Sequence, residues 1–312
     1  MPLRPYAALV LTLALAACGR DNAESTALTA TPPAAPAPTA TPPTPPETPV
    51  AAAPQAPLPA TDLDAILAGD WRDPANVARD IWRHPKETLG FFGVTPDQRV
   101  LEISPGRGWY TEILVPLLRE RGHYVGAVSD PAAAPDERMR DYFTKSNADL
   151  RAKLAARADV YGTVELRQID GARPDFGPAG SIDTVLTFRN VHNWLMAGQA
   201  QAMFKGFYAV LKPGGVLGVV EHRAAGDVPP GDKSGYVGQE QVIGLAQAAG
   251  FAFEASSEIN ANPADTKDHE AGVWSLPPSL RLGDKDREKY LAIGESDRMT
   301  LRFRKPAAPA AP

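Results

Sequence analysis

Apolar residues along this chain switch between two rhythms. Short runs that are apolar throughout alternate with longer stretches in which apolar positions recur every three or four residues. The first pattern implies buried strands and the second amphipathic helices. Val100 to Ile103, Tyr124 to Val128, Val164 to Ile169, Ile182 to Thr187 and Val216 to Val220 read as strands. Between them, Trp109 to Arg121 puts Ile113, Leu114, Leu117 and Leu118 on one helical face, with Pro116 as a local defect that kinks it. Asp136 to Arg157 reads as a long helix, and Gln199 to Leu211 as a helix stopped by the turn Lys212-Pro213-Gly214-Gly215. Gln239 to Ala249 is a further helix, ended by Gly250. Phe251 to Ser256 and Met299 to Phe303 are the last two strands, and the absence of a helix pair between them suits an antiparallel hairpin. Asp62 to Gly93 suggests short helices, with Thr61 or Asp62 as a cap and Pro74 at a helix start.

Strands alternating with helices predict an α/β fold, a mostly parallel seven-stranded sheet with helices on both faces and an antiparallel final hairpin. The connection from Asn260 to Ser296 is long for a loop and is expected to form a lid or an interface.

The start of the chain breaks this pattern. From Thr29 to Ala60 nearly every residue is Pro, Ala or Thr, with Glu47 as the one charge and no aromatic side chain. Such a segment buries too little to offset its ordering entropy and reads as a disordered, semi-extended spacer. Before it, a basic start at Arg4 leads into an apolar run from Tyr6 to Ala17, too short to span a bilayer comfortably. The run ends Leu15-Ala16-Ala17-Cys18-Gly19, which resembles the lipobox of bacterial lipoproteins. That resemblance implies cleavage before Cys18 and a lipid on its sulfur, hence a periplasm-facing domain tethered to a membrane in the cell envelope. An ordinary signal peptide, with Cys18 incidental, is the alternative. The expected organisation is a signal over residues 1–17, a linker over 18–60, a folded domain over 61–306 and a tail over 307–312. Cys18 is the single cysteine, so neither a disulfide framework nor a thiolate metal site is available within one chain. A net charge of -5 without any basic stripe argues against nucleic acid as a partner.

The stretch RVLEISPGRGWYTEIL, from Arg99 to Leu114, carries the chemistry. Gly106 and Gly108 follow a strand and open a helix, where backbone can approach a ligand closely and helix amides face an anionic group. A dinucleotide turn wants a third glycine at the position of Thr111 with small residues before it. Trp109 and Tyr110 fill that space and disfavour a pyrophosphate, which weakens a nicotinamide oxidoreductase reading.

Glu102-Ile103-Ser104-Pro105-Gly106-Arg107-Gly108 resembles the first motif of the class I S-adenosylmethionine-dependent methyltransferases, with Ser104 where a first glycine is usual. The longer string is similar to a group of bacterial predicted methyltransferases in which Pro-Gly-x-Gly-Trp-Tyr-Thr-Glu recurs. The resemblance covers about Leu89 to Pro306 and implies a Rossmann-like class I methyltransferase fold with S-adenosylmethionine as cofactor. It further implies that Glu102, Ser104, Gly106 and Gly108 shape or contact the cofactor site and that Asp130, ending the second strand, holds the ribose hydroxyls. Asp170, in Ile169-Asp170-Gly171-Ala172, would accept from the adenine amino group. An Asp-Pro turn role for Asp130 and a plain turn role for Asp170 are the competing readings.

Ligands in open α/β sheets bind at the carboxyl ends of the strands. Phe188-Arg189-Asn190-Val191-His192-Asn193-Trp194 directly follows the fourth strand, and Glu221-His222 ends the fifth. His192 and His222 are the candidate bases, since imidazole titrates in a useful range. Arg189 suits an anionic acceptor, Asn190 lies beside it, Trp194 suits packing on cofactor or substrate, and Tyr110 is a further contact. For the two histidines the alternative is a hydrogen-bonded structural residue at a strand end, and for Tyr110 a packing residue at the helix start. His84, His123, His192, His222 and His269 show no metal-ligand spacing, so no metal is expected. The leading expectation is an exported, lipid-anchored methyltransferase acting on a small-molecule acceptor. The alternative is a catalytically degenerate methyltransferase fold that binds a ligand or partner in the envelope, since an extracytoplasmic compartment has no evident supply of that cofactor.

Overall fold

The computed structural model describes residues 62–307, so the signal, Cys18, the whole Pro-rich spacer and nearly all of the expected tail lie outside the described residues. Seven strands form one sheet: β1 (Arg99–Ile103), β2 (His123–Ser129), β3 (Glu165–Ile169), β4 (Ile182–Phe188), β5 (Leu211–His222), β6 (Ala252–Ser257) and β7 (Arg298–Arg304). Their order is β3-β2-β1-β4-β5-β7-β6. The first five run parallel, and β7 inserts antiparallel between β5 and β6.

β1 sits near the middle and is covered on both faces, which is why Val100 to Ile103 is almost continuously apolar. Its alternation still sorts the two cores. Val100 packs with Ile113, Leu114, Leu118 and Tyr124 beneath the helix Thr111–Leu118. Leu101 and Ile103 face the other way, toward Phe204 and Phe207 of the helix Ala200–Val210. Glu102 therefore points into the same apolar layer as Val100.

Three boundaries differ from the sequence pattern. The helix after β1 begins at Thr111 rather than Trp109 and ends at Leu118, because Trp109 and Tyr110 complete the glycine turn; Pro116 lies within it. The Lys212–Gly215 turn is absorbed into the start of β5. Leu211 pairs with Ile182, the ladder slips, and pairing resumes at Thr184 with Val216, while Gly214 takes a φ of 81°. A short helix, Val191–Met196, follows β4 at once, where sequence periodicity is too brief to register.

Residues 62–93 form four short helices, the first capped by the Asp62 carboxylate and two others led by Pro74 and Pro85. They are tied to the glycine turn by the residues that follow it. Trp109 Nε1 donates to Asn76 O at 2.9 Å, and Trp71 Nε1 donates to Glu112 O at 2.9 Å. Glu112, fully buried, accepts from Asn76 Nδ2 at 2.9 Å and pairs with Lys153 of the helix Glu137–Ala156.

The connection between β6 and β7 is ordered over the strand ends. Asn260 Nδ2 reaches Thr88 Oγ1 at 3.0 Å and Thr300 Oγ1 at 2.9 Å. Glu295 joins Arg79 and Arg83 of the N-terminal helices, so the two irregular segments roof the sheet together. Among the described residues no helix is long and apolar enough to cross a membrane.

Candidate active site

The turn after β1 is built on three left-handed residues, Ser104 (φ 50°), Gly106 (φ 58°) and Gly108 (φ 83°). Ser104 still donates its N–H to Ala127 O at 2.8 Å, extending the β1–β2 ladder by one bond before the chain turns. It occupies the backbone region for which a glycine is normally used, at a cost of about 1 kcal/mol for an L-residue. The two glycines serve different ends. A side chain at Gly106 would meet nothing within 4 Å, so the space above it is open, whereas one at Gly108 would sit 3.0 Å from Leu150 Cδ1. Gly106 thus leaves room for a ligand, and Gly108 lets the helix Glu137–Ala156 pack against the turn.

Glu102 lies beneath this turn, 2 % exposed. Its Oε2 accepts from Tyr124 Oη at 2.7 Å and from Thr111 Oγ1 at 2.9 Å. One carboxyl oxygen thereby joins β1, β2 and the first residue of the helix, while Oε1 has no hydrogen-bond partner among the described residues. Burial pushes this carboxyl up to about 7, against the pull of the two hydroxyls and of Arg189. Its free oxygen fits a cationic or N–H donor at the turn.

Asp130 ends β2, with its N–H bonded to Ile169 O. Its Oδ1 accepts from Ala132 N at 2.9 Å, which caps the short turn Pro131–Ala133 and leaves Oδ2 without a hydrogen-bond partner among the described residues. Asp170 is more fully committed. Oδ1 accepts from Ala172 N at 2.9 Å and Oδ2 lies 3.4 Å from Arg173 Nε, the turn role that competed with adenine contact.

The carboxyl ends of β4 and β5 bring the candidate bases together. Glu221 is fully buried and accepts four bonds. Its Oε2 takes Val191 N at 2.6 Å and His192 N at 3.3 Å, and its Oε1 takes His222 N at 2.8 Å and His192 Nδ1 at 3.0 Å. A carboxylate can only accept there, so the proton of the neutral imidazole sits on Nδ1 and Nε2 carries the lone pair. His192 is thus oriented by an acid in the manner of a general base. The same residue lines a cavity of about 200 Å³ with Tyr236, Val237 and Gln241.

His222 plays a different part. Its ring lies 5.3 Å from that of His192, and its Nδ1 is 2.5 Å from Ser296 Oγ. Burial, the neighbouring His192 imidazole and the charges of Arg189 and Arg298 hold it well below the usual histidine range, which keeps it neutral. His192, Glu221 and His222 have donor atoms within 4.8 Å of one another, a grouping that spacing along the chain does not reveal. The filled acceptor capacity of Glu221 and the surrounding arginines suit proton transfer better than a cation.

Three of the four expected substrate contacts have partners within the protein. Trp194 packs inward on Phe207 and Phe204, at centroid distances of 5.5 and 6.4 Å, because it lies two positions from His192 on a helix and so points to the opposite side. Tyr110 is buried, stacked on Phe188 at 3.6 Å, and closes the core under the turn. Asn190 spends its Nδ2 on Ile103 O and Thr187 Oγ1, both at 3.1 Å, clasping the ends of β1 and β4. Arg189 takes a φ of 62° as the chain leaves β4, and its guanidinium makes no hydrogen bond or ion pair among the described residues. Sequence reasoning missed Glu221 as the orienting acid, although it stood beside His222. It also missed Arg83, Glu295 and Arg298, whose meeting depends on contacts across most of the chain.

No protein-family model matches the sequence, and no curated protein does. Solved structures do match. The [4+2]-cyclase SpnF aligns over 77% of this chain and 86% of its own at 18% identity, with a TM-score of 0.51. A SAM-dependent methyltransferase from Aquifex aeolicus aligns over 78% of this chain and 98% of its own at 15% identity, with a TM-score of 0.49. An arsenic(III) S-adenosylmethionine methyltransferase from Chlamydomonas reinhardtii aligns over 82% and 76% at 18% identity, with a TM-score of 0.43. The chain has a Rossmann-like methyltransferase fold. A cyclase stands among these neighbours, so the fold by itself does not fix the reaction, and residues must decide it.

The buried carboxyl gives a pH-dependent expectation. Glu102 has its folded value raised from 4.5 to about 7, so its contribution to stability is fully present below pH 4.5 and is lost as the pH rises through 7. The loss amounts to about 3 kcal/mol at one unit per 1.4 kcal/mol. Urea unfolding at pH 5 and pH 8 should show Glu102→Gln gaining on the wild type by about 2 to 3 kcal/mol between the two, since a small part of the loss has already occurred at pH 5. A gap independent of pH would contradict the assignment.

Proposed function

We propose that this domain binds S-adenosylmethionine across the carboxyl ends of β1, β2 and β4 and transfers its methyl group to a small-molecule acceptor. The observation that carries the reading is the His192–Glu221 pair, held at 3.0 Å at the ends of β4 and β5 in a domain whose β1 ends in an open glycine turn.

The residues present fit such a cofactor. Among the described residues the space above Gly106 is open, Glu102 Oε1 meets no donor and Asp130 Oδ2 has no partner at the end of β2, where two hydroxyls would find a carboxylate acceptor. When bound, the cofactor supplies an electrophilic methyl group on a sulfonium. Positioning accounts for most of the acceleration in such a displacement. His192 Nε2 takes the proton that the acceptor gives up, and Glu221 holds the imidazole in the tautomer able to do so and stabilises the imidazolium that results. His222, kept neutral, donates or accepts through Ser296 without competing for that proton. An oriented base with a free Nε2 favours catalysis over a purely binding role. In the same reading the domain is exported and anchored through Cys18, with the Pro-rich stretch as its tether.

Calorimetric titration should show binding of S-adenosylmethionine and its demethylated product and none of NAD. Absence of binding for the first two by an intact protein would overturn the reading. Asp130→Ala should weaken both by ten- to a hundredfold, the scale of hydrogen bonds to a charged group, and unchanged affinity would remove Asp130 from the site. For the anchor, palmitate labelling in a bacterial host should vanish in Cys18→Ala; labelling that survives the substitution would refute it.

A further inference from the structure

Three arginines meet at the strand ends around the Glu295 carboxylate, and a fourth, Arg189, lies within their field. Glu295 Oε1 takes Arg79 Nε at 2.5 Å, and Oε2 takes Arg83 Nε at 3.2 Å and Arg298 Nη2 at 2.6 Å. Both oxygens of Glu295 are thus occupied, and the fourth arginine, Arg189, is left over. Arg83 and Arg298 are buried, at 3 % and 1 % exposure. Arg83 also lies against the Trp109 ring, 4.8 Å from its centroid. Against these four guanidinium groups stand the carboxylates of Glu295 and, beside the histidines, Glu221, so positive charge is in excess at the strand ends, and with Arg83 and Arg298 buried that excess is costly unless a counter-charge arrives.

Topology fixes where that excess points. Arg189 follows the last residue of β4, and its N–H donates to Val220 O at 2.7 Å. Arg298 opens β7 directly opposite His222, the last residue of β5. The two arginines therefore lie at the same edge of the sheet as His222, close enough to act on it. Burial and repulsion from Arg298 push the Arg189 guanidinium down to about 10, so it is still charged at neutral pH but short of a partner. His222 feels the same field. A left-handed backbone is unfavourable at a non-glycine residue, and here it carries a guanidinium without a hydrogen-bond or ion-pair partner among the described residues.

We infer that the methyl acceptor is an anion, a small molecule whose carboxylate or phosphate group pairs with the Arg189 guanidinium, backed by Arg83 and Arg298, while its nucleophilic atom faces His192. The inference rests on the transferase reading above for the word acceptor, and on the arginine cluster alone for the anion. A planar guanidinium binds either group through two parallel N–H bonds. The positive field also favours the deprotonated form of the acceptor that His192 generates.

The test is calorimetric titration of the full-length protein with phenyl phosphate, benzoate and benzyl alcohol, each with and without saturating S-adenosylhomocysteine. The two anions should bind at least tenfold more tightly than the alcohol, the tighter of them identifying the acceptor's charged group. Arg189→Gln should abolish that preference and leave the affinity for S-adenosylhomocysteine within twofold, whereas Arg189→Lys should retain part of it. Equal binding of anions and alcohol overturns the proposal. A tenfold loss of S-adenosylhomocysteine affinity in Arg189→Gln also overturns it, since Arg189 would then hold the cofactor's own carboxylate. Anion preference without any S-adenosylhomocysteine binding supports the anion site and overturns the transferase reading instead.

Discussion

The carboxyl group of Glu102 has to be held by something, because it is buried among Leu114, Tyr124 and Val100 where an unpaired polar group would cost several kcal/mol. Thr111 and Tyr124 hold it, and in doing so they fix the glycine turn to the sheet at the one place where the chain must reverse from strand to helix. Ser104 and the two glycines can keep their left-handed backbone because this bond and the ladder bond to Ala127 determine the turn from both sides. The residues after the turn all act inward. Trp109 and Glu112 dock the N-terminal helices, Tyr110 fills the core, and the turn faces open space at Gly106 and Arg107.

The chemistry converges for a topological reason. Parallel strands β1, β4 and β5 end at the same edge of the sheet, and β7, running antiparallel, begins there. His192, Glu221 and His222 come from β4 and β5, while Arg298 and Ser296 come from the start of β7. The connection before β7 brings Glu295 against Arg79 and Arg83, so a segment from one end of the chain and a segment from the other close over the same site.

Much of this was legible in the residues. Seven strands, the final hairpin, the long helix between β2 and β3 and the cleft at the carboxyl ends all follow from periodicity and the parallel-sheet rule. The glycine turn was recognisable because a positive φ leaves a compositional trace, though Ser104 hides one of its three positions. Less was legible where side-chain direction or distant contact decides. Trp194 sits in a string with Arg189 and His192, yet helix geometry turns it into the core. Glu295 and Arg79 stand 216 positions apart and carry no local signal of each other. The histidine–carboxylate pairing of residues 192 and 221 is likewise a product of the β4–β5 ladder rather than of spacing.

The central claim is that the turn over Glu102 and the end of β2 form one cofactor cleft. Hydrogen–deuterium exchange with and without saturating S-adenosylhomocysteine tests it most directly. The account predicts slowed exchange in two segments, residues 104–112 and 129–133, appearing together at the same ligand concentration. Unchanged exchange in both, or protection confined to the cavity wall at residues 228–237, would contradict it.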